Sequence, residues 1–247
     1  MCDLCLSETR IRESGATRRA VLRSFAAAAA AGLVLGSPAR AEAVKKIPKP
    51  QNVLSPQASL DRLLKGNQRY VEGISRRHDF KHEREALVGG QNPYAAILSC
   101  ADSRIAPEYA FDSGRGDLFV CRVAGNFAND DTVASLEYAV SVLNVPLILV
   151  LGHDACGAVD ATIKSIKDNT TLPGHLPSLV AALAPAVKAV SQQPGDLLGH
   201  AIRQNVIDTI AKLTSATPIL SAAVEQKKLK IVGGIYRLKD GKVDMTA

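Results

Sequence analysis

The sequence is poor in aromatic residues. It has no Trp among its 247 residues, and Phe and Tyr together make up 4%. Base-stacking surfaces and aromatic cages need several exposed rings, so the composition argues against both. The net charge of +6 does not point to nucleic acid, because residues 1–41 contribute half of it with six Arg against three acidic residues. We therefore expect a mildly basic domain that binds no nucleic acid.

Cysteine is also scarce. Two of the five cysteines, Cys2 and Cys5, lie in a predicted leader, and the other three are too few for a framework of disulfides. Cys121 lies within a strand-like apolar run, which predicts a small buried hydrophobic residue. Cys100 and Cys156 are left as candidates for chemistry.

Long apolar runs are missing as well. The Ala-rich stretch at residues 25–36 is too short to span a bilayer as a helix. Arg18 and Arg19 precede it and a site of small residues follows, an order typical of a bacterial signal peptide of the twin-arginine type, although an amphipathic surface helix is the alternative. We predict cleavage after Ala41, or alternatively after Ala43. The mature protein is then periplasmic or secreted, with no stable membrane insertion.

The rest of the chain alternates strand and helix patterns. Residues 42–56 are rich in Lys and Pro and predict a flexible mature N-terminus before one domain at 57–247. Strands are predicted at 94–99, 117–123, 147–151 and 229–237, with a short edge strand after the turn at 239–242. Helices are predicted from Ser55 with Ser59 as a possible cap, and at 133–144, 179–191 with a kink or restart at Pro185, 201–213 and 218–227. This order predicts an α/β fold with a central, mostly parallel sheet flanked by helices.

Metal-competent side chains stand at the ends of two predicted strands. Cys100 and Asp102 follow the first strand, and His153 and Cys156 follow the third. The carboxyl ends of parallel strands meet at one edge of a sheet, so these four side chains are expected to lie together. Two thiolates, an imidazole and a carboxylate form a ligand set typical of tetrahedral zinc.

Arg104, two residues after the fourth candidate ligand Asp102, favours a catalytic zinc site over a structural one. Four protein ligands close a zinc site, whereas three leave a position for water. Arg104 can hold Asp102 in a bidentate pair and keep it ionised, which leaves the metal free to bind water. Zinc lowers the pKa of such a water to about 7, and the resulting hydroxide suits the hydration of carbon dioxide. A structural zinc site and a pair of buried thiols are the alternatives.

Four segments between about Leu60 and Val243 resemble the β-class carbonic anhydrases: Cys100-Ala-Asp-Ser-Arg104, Arg122-Val-Ala-Gly-Asn126, Glu137-Tyr-Ala-Val140 and Gly152-His-Asp-Ala-Cys-Gly157. The resemblance implies reversible hydration of CO₂ to bicarbonate by zinc-bound hydroxide, with one zinc per subunit. The implied permanent ligands are Cys100, His153 and Cys156, and Asp102 is a switching ligand paired with Arg104. It further implies an N-terminal helix that packs on a partner chain, in a homodimer or tetramer.

The same resemblance implies a substrate pocket lined by Gln91, Phe119, Ala124, Tyr138 and Gly157. Gln91 lies nine residues before the first Cys ligand, where the family has a Gln that reaches substrate across the dimer interface. Ala124 stands where the family often has Val.

Two departures from the family concern other positions. Ile97 stands where one subgroup has the Trp of a regulatory bicarbonate pocket, so that pocket is expected to be absent, although Arg122 and Tyr236 resemble its other members. Arg237 replaces the usual Asp.

Two further hypotheses remain beside CO₂ hydration. The same zinc site can support hydrolysis of a CO₂ analogue such as carbon disulfide. A non-catalytic zinc or bicarbonate-binding module is the other reading, and it predicts a damaged Asp–Arg pair. Asp102 and Arg104 are both present.

Overall fold

The computed structural model describes residues 53–246, and within them five strands form one sheet. The strands are β1 Ala95–Ser99, β2 Leu118–Arg122, β3 Leu147–His153, β4 Lys230–Tyr236 and β5 Val243–Met245. Their order across the sheet is β2-β1-β3-β4-β5, with β5 antiparallel to β4 and the other neighbours parallel. The predicted α/β fold with a mostly parallel sheet is therefore confirmed.

Helices cover both faces of the sheet, which is why the central strands are apolar up to their last residues, Ser99 and His153. Every residue of β1 and β3 is buried, as expected for parallel strands packed on two sides. Side chains of β1 alternate between the two resulting cores: Ala96 and Leu98 face one, and Ala95 and Ile97 face the other.

Eight helices lie in the described part of the chain. They are α1 Pro56–Val71, α2 Phe80–Leu87, α3 Pro107–Ala110, α4 Asp130–Ser141, α5 Gly157–Lys167, α6 Leu176–Val190, α7 Leu197–Thr214 and α8 Ile219–Glu225. Buried residues of α4 to α8 pack in one core, and those of α1 and α3 pack in the other. None of these helices is both long and apolar enough to cross a membrane.

The helix starts differ from the sequence prediction. Ser59 is wrong as a cap, since it lies buried inside α1; the cap is Ser55, whose Oγ accepts a hydrogen bond from the N–H of Ala58 at 3.2 Å. Pro56 suits the first helical position because its missing N–H would have no partner there. α4 begins at Asp130, three residues before the predicted start, because Asn129 caps it in a reciprocal capping box.

Some elements were not predicted at all. α2, α3 and α5 were missed, and α6 runs through Pro185 without restarting. Cys121 is only partly buried, at the margin of the core, instead of inside it. The predicted signal peptide and residues 42–52 of the predicted flexible segment lie outside the described residues.

Candidate metal centre

Three potential ligands meet at the carboxyl edge of the sheet. Cys100 directly follows β1, His153 is the last residue of β3, and Cys156 is the N-cap of α5. β1 and β3 are parallel neighbours that pair Ser99 with Leu151, so Cys100, just after β1, lies near the last residues of β3. The two sulfurs and a ring nitrogen of His153 lie within 4.8 Å of one another, and all three residues are buried.

The spacing and hydrogen bonding of these atoms fit a tetrahedral zinc ion. Sulfurs that are each about 2.3 Å from a tetrahedral zinc stand about 3.8 Å apart, and Sγ of Cys100 lies 4.0 Å from Sγ of Cys156. Nδ1 of His153 donates to the carbonyl of Asp154 at 2.8 Å, which leaves Nε2 with its lone pair. That Nε2 is buried and has no hydrogen-bond partner among the described residues, so a metal ion would satisfy it.

The two thiols favour a cation between them. The pKa of Cys100 is lowered, chiefly because Cys156 hydrogen-bonds to its sulfur. The pKa of Cys156 is raised for the same reason, since a second thiolate would lie beside the first. A divalent cation stabilises both thiolates at once, as in sites that bind zinc at neutral pH.

Asp102 lies at the margin of the centre and is held by Arg104. Its Oδ1 accepts from the backbone N–H and from Nε of Arg104, both at 2.9 Å, and its Oδ2 accepts from Nη2 at 2.7 Å. These contacts, led by the side-chain hydrogen bonds, hold the pKa of Asp102 well below its usual range. Oδ2 lies 3.9 Å from Nε2 of His153, so the carboxylate is next to the ligands while Arg104 holds it.

Several backbone and side-chain donors fix the first ligand. The N–H of Gly125 donates to Sγ of Cys100 at 3.3 Å. Arg122 donates to the carbonyl of Cys100 at 3.0 Å and to that of Asp102 at 2.6 Å. Asn205, buried on α7, donates to the carbonyl of Gly125 at 2.7 Å. No sequence pattern identifies Asn205, because a single polar residue on a helix has no spacing that predicts its contact.

Two of the predicted pocket residues lie beside these ligands. Ala124 directly precedes Gly125, which contacts Cys100, and Gly157 directly follows Cys156. A Cβ atom placed on Gly157 would have no heavy atom within 4 Å, so the space beside Cys156 is open.

The other predicted pocket residues lie elsewhere in the same chain. Phe119 pairs with Ala96, four residues before Cys100, which separates it from that ligand by about 13 Å along the sheet. Its ring lies 6.3 Å from the ring of Tyr138 between centroids. Gln91 precedes β1 and so lies at the opposite end of that strand from Cys100. One chain alone does not bring these three residues to its own candidate ligands.

A parallel sheet that gathers two thiols, an imidazole and an arginine-held carboxylate at one edge defines an α/β metalloenzyme site. Comparison with known proteins identifies the class of enzyme. A family model for carbonic anhydrase matches residues 95–243. Carbonic anhydrase 2 of Mycobacterium tuberculosis is 40% identical over 189 residues, which cover 76% of this chain and 91% of the relative.

Two further comparisons agree. A carbonic anhydrase of Mycolicibacterium smegmatis is 36% identical over 192 residues, or 77% of this chain and 93% of the relative. The solved structure of the β-carbonic anhydrase CcaA is 30% identical, covers 76% of this chain and 98% of its own, and superposes with a TM-score of 0.58. The chain belongs to the carbonic anhydrase family, as a member of its β class, and is an enzyme.

Proposed function

We propose that this enzyme is an exported, zinc-dependent carbonic anhydrase that reversibly hydrates CO₂ to bicarbonate and a proton. The observation that supports it most is the buried trio Cys100, His153 and Cys156, whose separations suit one zinc ion per chain. When bound, zinc lowers the pKa of a water ligand to about 7 and so supplies a hydroxide nucleophile near neutral pH.

Asp102 and Arg104 control access to the fourth ligand position. Three hydrogen bonds from Arg104 keep Asp102 ionised and occupied beside the metal ligands. An ionised carboxylate has further acceptor positions, so Asp102 can also accept a hydrogen bond from the attacking water and orient it. Loss of Arg104 frees the carboxylate to become a fourth protein ligand, which closes the site.

We also propose that the working enzyme is a homodimer or tetramer, in which α1 packs on the partner chain. Phe119, Tyr138 and Gln91 lie away from their own chain's ligands, so they can line a substrate pocket only if it belongs to a second copy. Tyr138 is 47% exposed, and Gln91 is exposed as well, so both are accessible to a partner.

Export is proposed from the leader pattern. A twin-arginine route carries folded proteins, so zinc can bind in a reducing compartment before the two thiolates meet an oxidant. The variant with Arg18→Lys and Arg19→Lys should remain inside the cell, as fractionation would show. Normal periplasmic appearance of this variant would argue for another route.

The proposed chemistry is tested by metal analysis together with stopped-flow assays of CO₂ hydration and carbon disulfide hydrolysis. The wild-type chain should retain zinc and hydrate CO₂, and Cys100→Ala or His153→Ala should lose both, because neither residue has a substitute ligand. Full zinc content in either variant would contradict the ligand assignment. Hydrolysis of carbon disulfide without CO₂ hydration would show that the analogue is the substrate. A chain that retains zinc but has neither activity would be a binding module.

A further inference from the structure

The short loop from His153 to Cys156 delivers two of the three candidate ligands in a strained conformation. Ala155, between them, has φ of +50°, a left-handed conformation that is unfavourable for a residue with a Cβ. Such strain persists where surrounding contacts over-determine the backbone. Arg104 supplies one of these contacts, donating to the carbonyl of Ala155 at 3.3 Å.

Arg237 holds Asp154, the other central residue of this loop. Its Nη1 donates to Oδ1 of Asp154 at 2.7 Å, and its Nε donates to Oδ2 of Asp244 at 2.8 Å. Asp244 belongs to β5, which is paired with β4, so the Arg237 guanidinium binds the sheet through Asp244 and the loop through Asp154.

Asp154 connects Arg237 to the candidate metal ligand His153. Its carbonyl accepts the Nδ1–H of His153, which fixes the tautomer and orientation of that ring. Its own N–H donates to the carbonyl of Tyr236 at 3.1 Å. The backbone of Asp154 therefore orients His153, and the side chain of Asp154 is held by Arg237.

We propose that Arg237 is a positioning residue of the metal centre, acting through Asp154 on His153 and Cys156. This inference rests on the proposed zinc site. The Arg237 and Asp154 side chains are 40% and 37% exposed, and exposed ion pairs contribute little to stability. The contribution of Arg237 therefore lies in the orientation of the ligands, and its loss should weaken metal retention while leaving the fold nearly as stable.

The test measures zinc release from the full-length chain to a chromogenic chelator, in parallel with urea unfolding. Arg237→Gln should release zinc about tenfold faster or more, the usual effect of removing a group that orients a metal ligand. Lys242→Gln is the matched control, because the Lys242 side chain pairs with Asp244 at 3.0 Å, whereas the ion pair to Asp154 in the described part of the chain comes from Arg237. The control should release zinc at the wild-type rate.

A second variant keeps the proposal testable if Arg237→Gln does not fold. Asp154→Ala removes the carboxylate that Arg237 binds but leaves the Arg237–Asp244 pair intact, and it should also release zinc faster than wild type. The cobalt-substituted proteins supply a readout independent of activity, because the visible ligand-field bands of Arg237→Gln and Asp154→Ala should shift relative to wild type.

The outcomes separate this inference from the zinc site itself. A wild-type chain that retains no zinc overturns both. Wild-type retention with unchanged release and unchanged cobalt bands in both variants overturns the positioning role alone. Faster release that merely follows a loss of unfolding free energy, or that Lys242→Gln shares, also contradicts it.

Discussion

Gly125 is the position where a single methyl group should test the packing around the centre. Its φ is +84°, and a Cβ atom there would lie 2.8 Å from Cδ1 and 3.1 Å from Cδ2 of Leu183. Leu183 is fully buried, so its side chain has little room to move away. The N–H of Gly125 donates to Sγ of Cys100, so a shift of this residue also reaches the first ligand.

Two costs determine the expected effect of Gly125→Ala. The left-handed backbone costs a residue with a Cβ about 1–2 kcal/mol. An extra carbon forced into a packed core costs about 1–3 kcal/mol. Together they predict a loss of about 2–5 kcal/mol in the free energy of unfolding.

Urea unfolding at a fixed protein concentration measures this loss. With a slope of about 2–3 kcal/mol per molar urea, the midpoint should fall by about 0.7–2.5 M. Gly89→Ala is the control, because no heavy atom lies within 4 Å of its added Cβ and its φ is not positive. That control should stay within about 0.5 kcal/mol of wild type. An unchanged midpoint for Gly125→Ala would refute the reasoning on strain and packing.

Three other predictions concern the Asp102–Arg104 pair, the stability of the fold in acid, and whether two chains contribute to one substrate pocket. Arg104→Ala should keep its zinc but lose about 10–100-fold in CO₂ hydration near neutral pH, and undiminished hydration in stopped-flow assays would remove the proposed role of Arg104. Burial raises the pKa of Asp112, but hydrogen bonds from two arginines outweigh burial and lower this pKa overall. The ionised Asp112 therefore stabilises the fold above its unfolded-state pKa of about 3.9, and this stabilisation is lost as pH falls through the lower folded-state pKa. Acid titrations of the unfolding free energy should therefore be flatter for Asp112→Asn below about pH 4, and equal slopes would contradict this. Equal amounts of inactive Cys100→Ala chains and inactive Gln91→Ala chains, allowed to exchange, should regain about a quarter of wild-type activity. About half of the dimers are then mixed, and in each mixed dimer one of the two pockets combines an intact Cys100 with an intact Gln91. Absence of recovery in verified mixed dimers would indicate that Gln91 acts within its own chain.

The strands and the metal ligands could be predicted because they follow from local patterns. Apolar runs that stop at Cys100 and His153 identify buried parallel strands, and parallel topology brings their ends together without further information. Helix starts were harder to predict. Ser55 and Ser59 both precede apolar residues at helical spacing, and Pro56, which suits the first helical position, is the signal that favours Ser55.

The contacts that support the ligands could not be predicted from local patterns. Asn205 reaches a carbonyl 80 positions earlier, and Arg237 reaches Asp154 across 83 positions. Each contact depends on how α7 or the end of β4 approaches the ligand loops, which no local pattern specifies. Arg237 stood out in the sequence only as a departure from the family, and its contacts became clear from the structure.

In the proposed function, one zinc ion held by Cys100, His153 and Cys156 gives this chain its CO₂ hydration activity. A zinc titration of the metal-depleted protein, followed by the initial rate of CO₂ hydration in a stopped-flow instrument, tests it most directly. The rate should rise linearly and stop rising at one zinc per chain, with no rise for His153→Ala. A hydration rate that does not depend on zinc, or one that rises equally in His153→Ala, would contradict it.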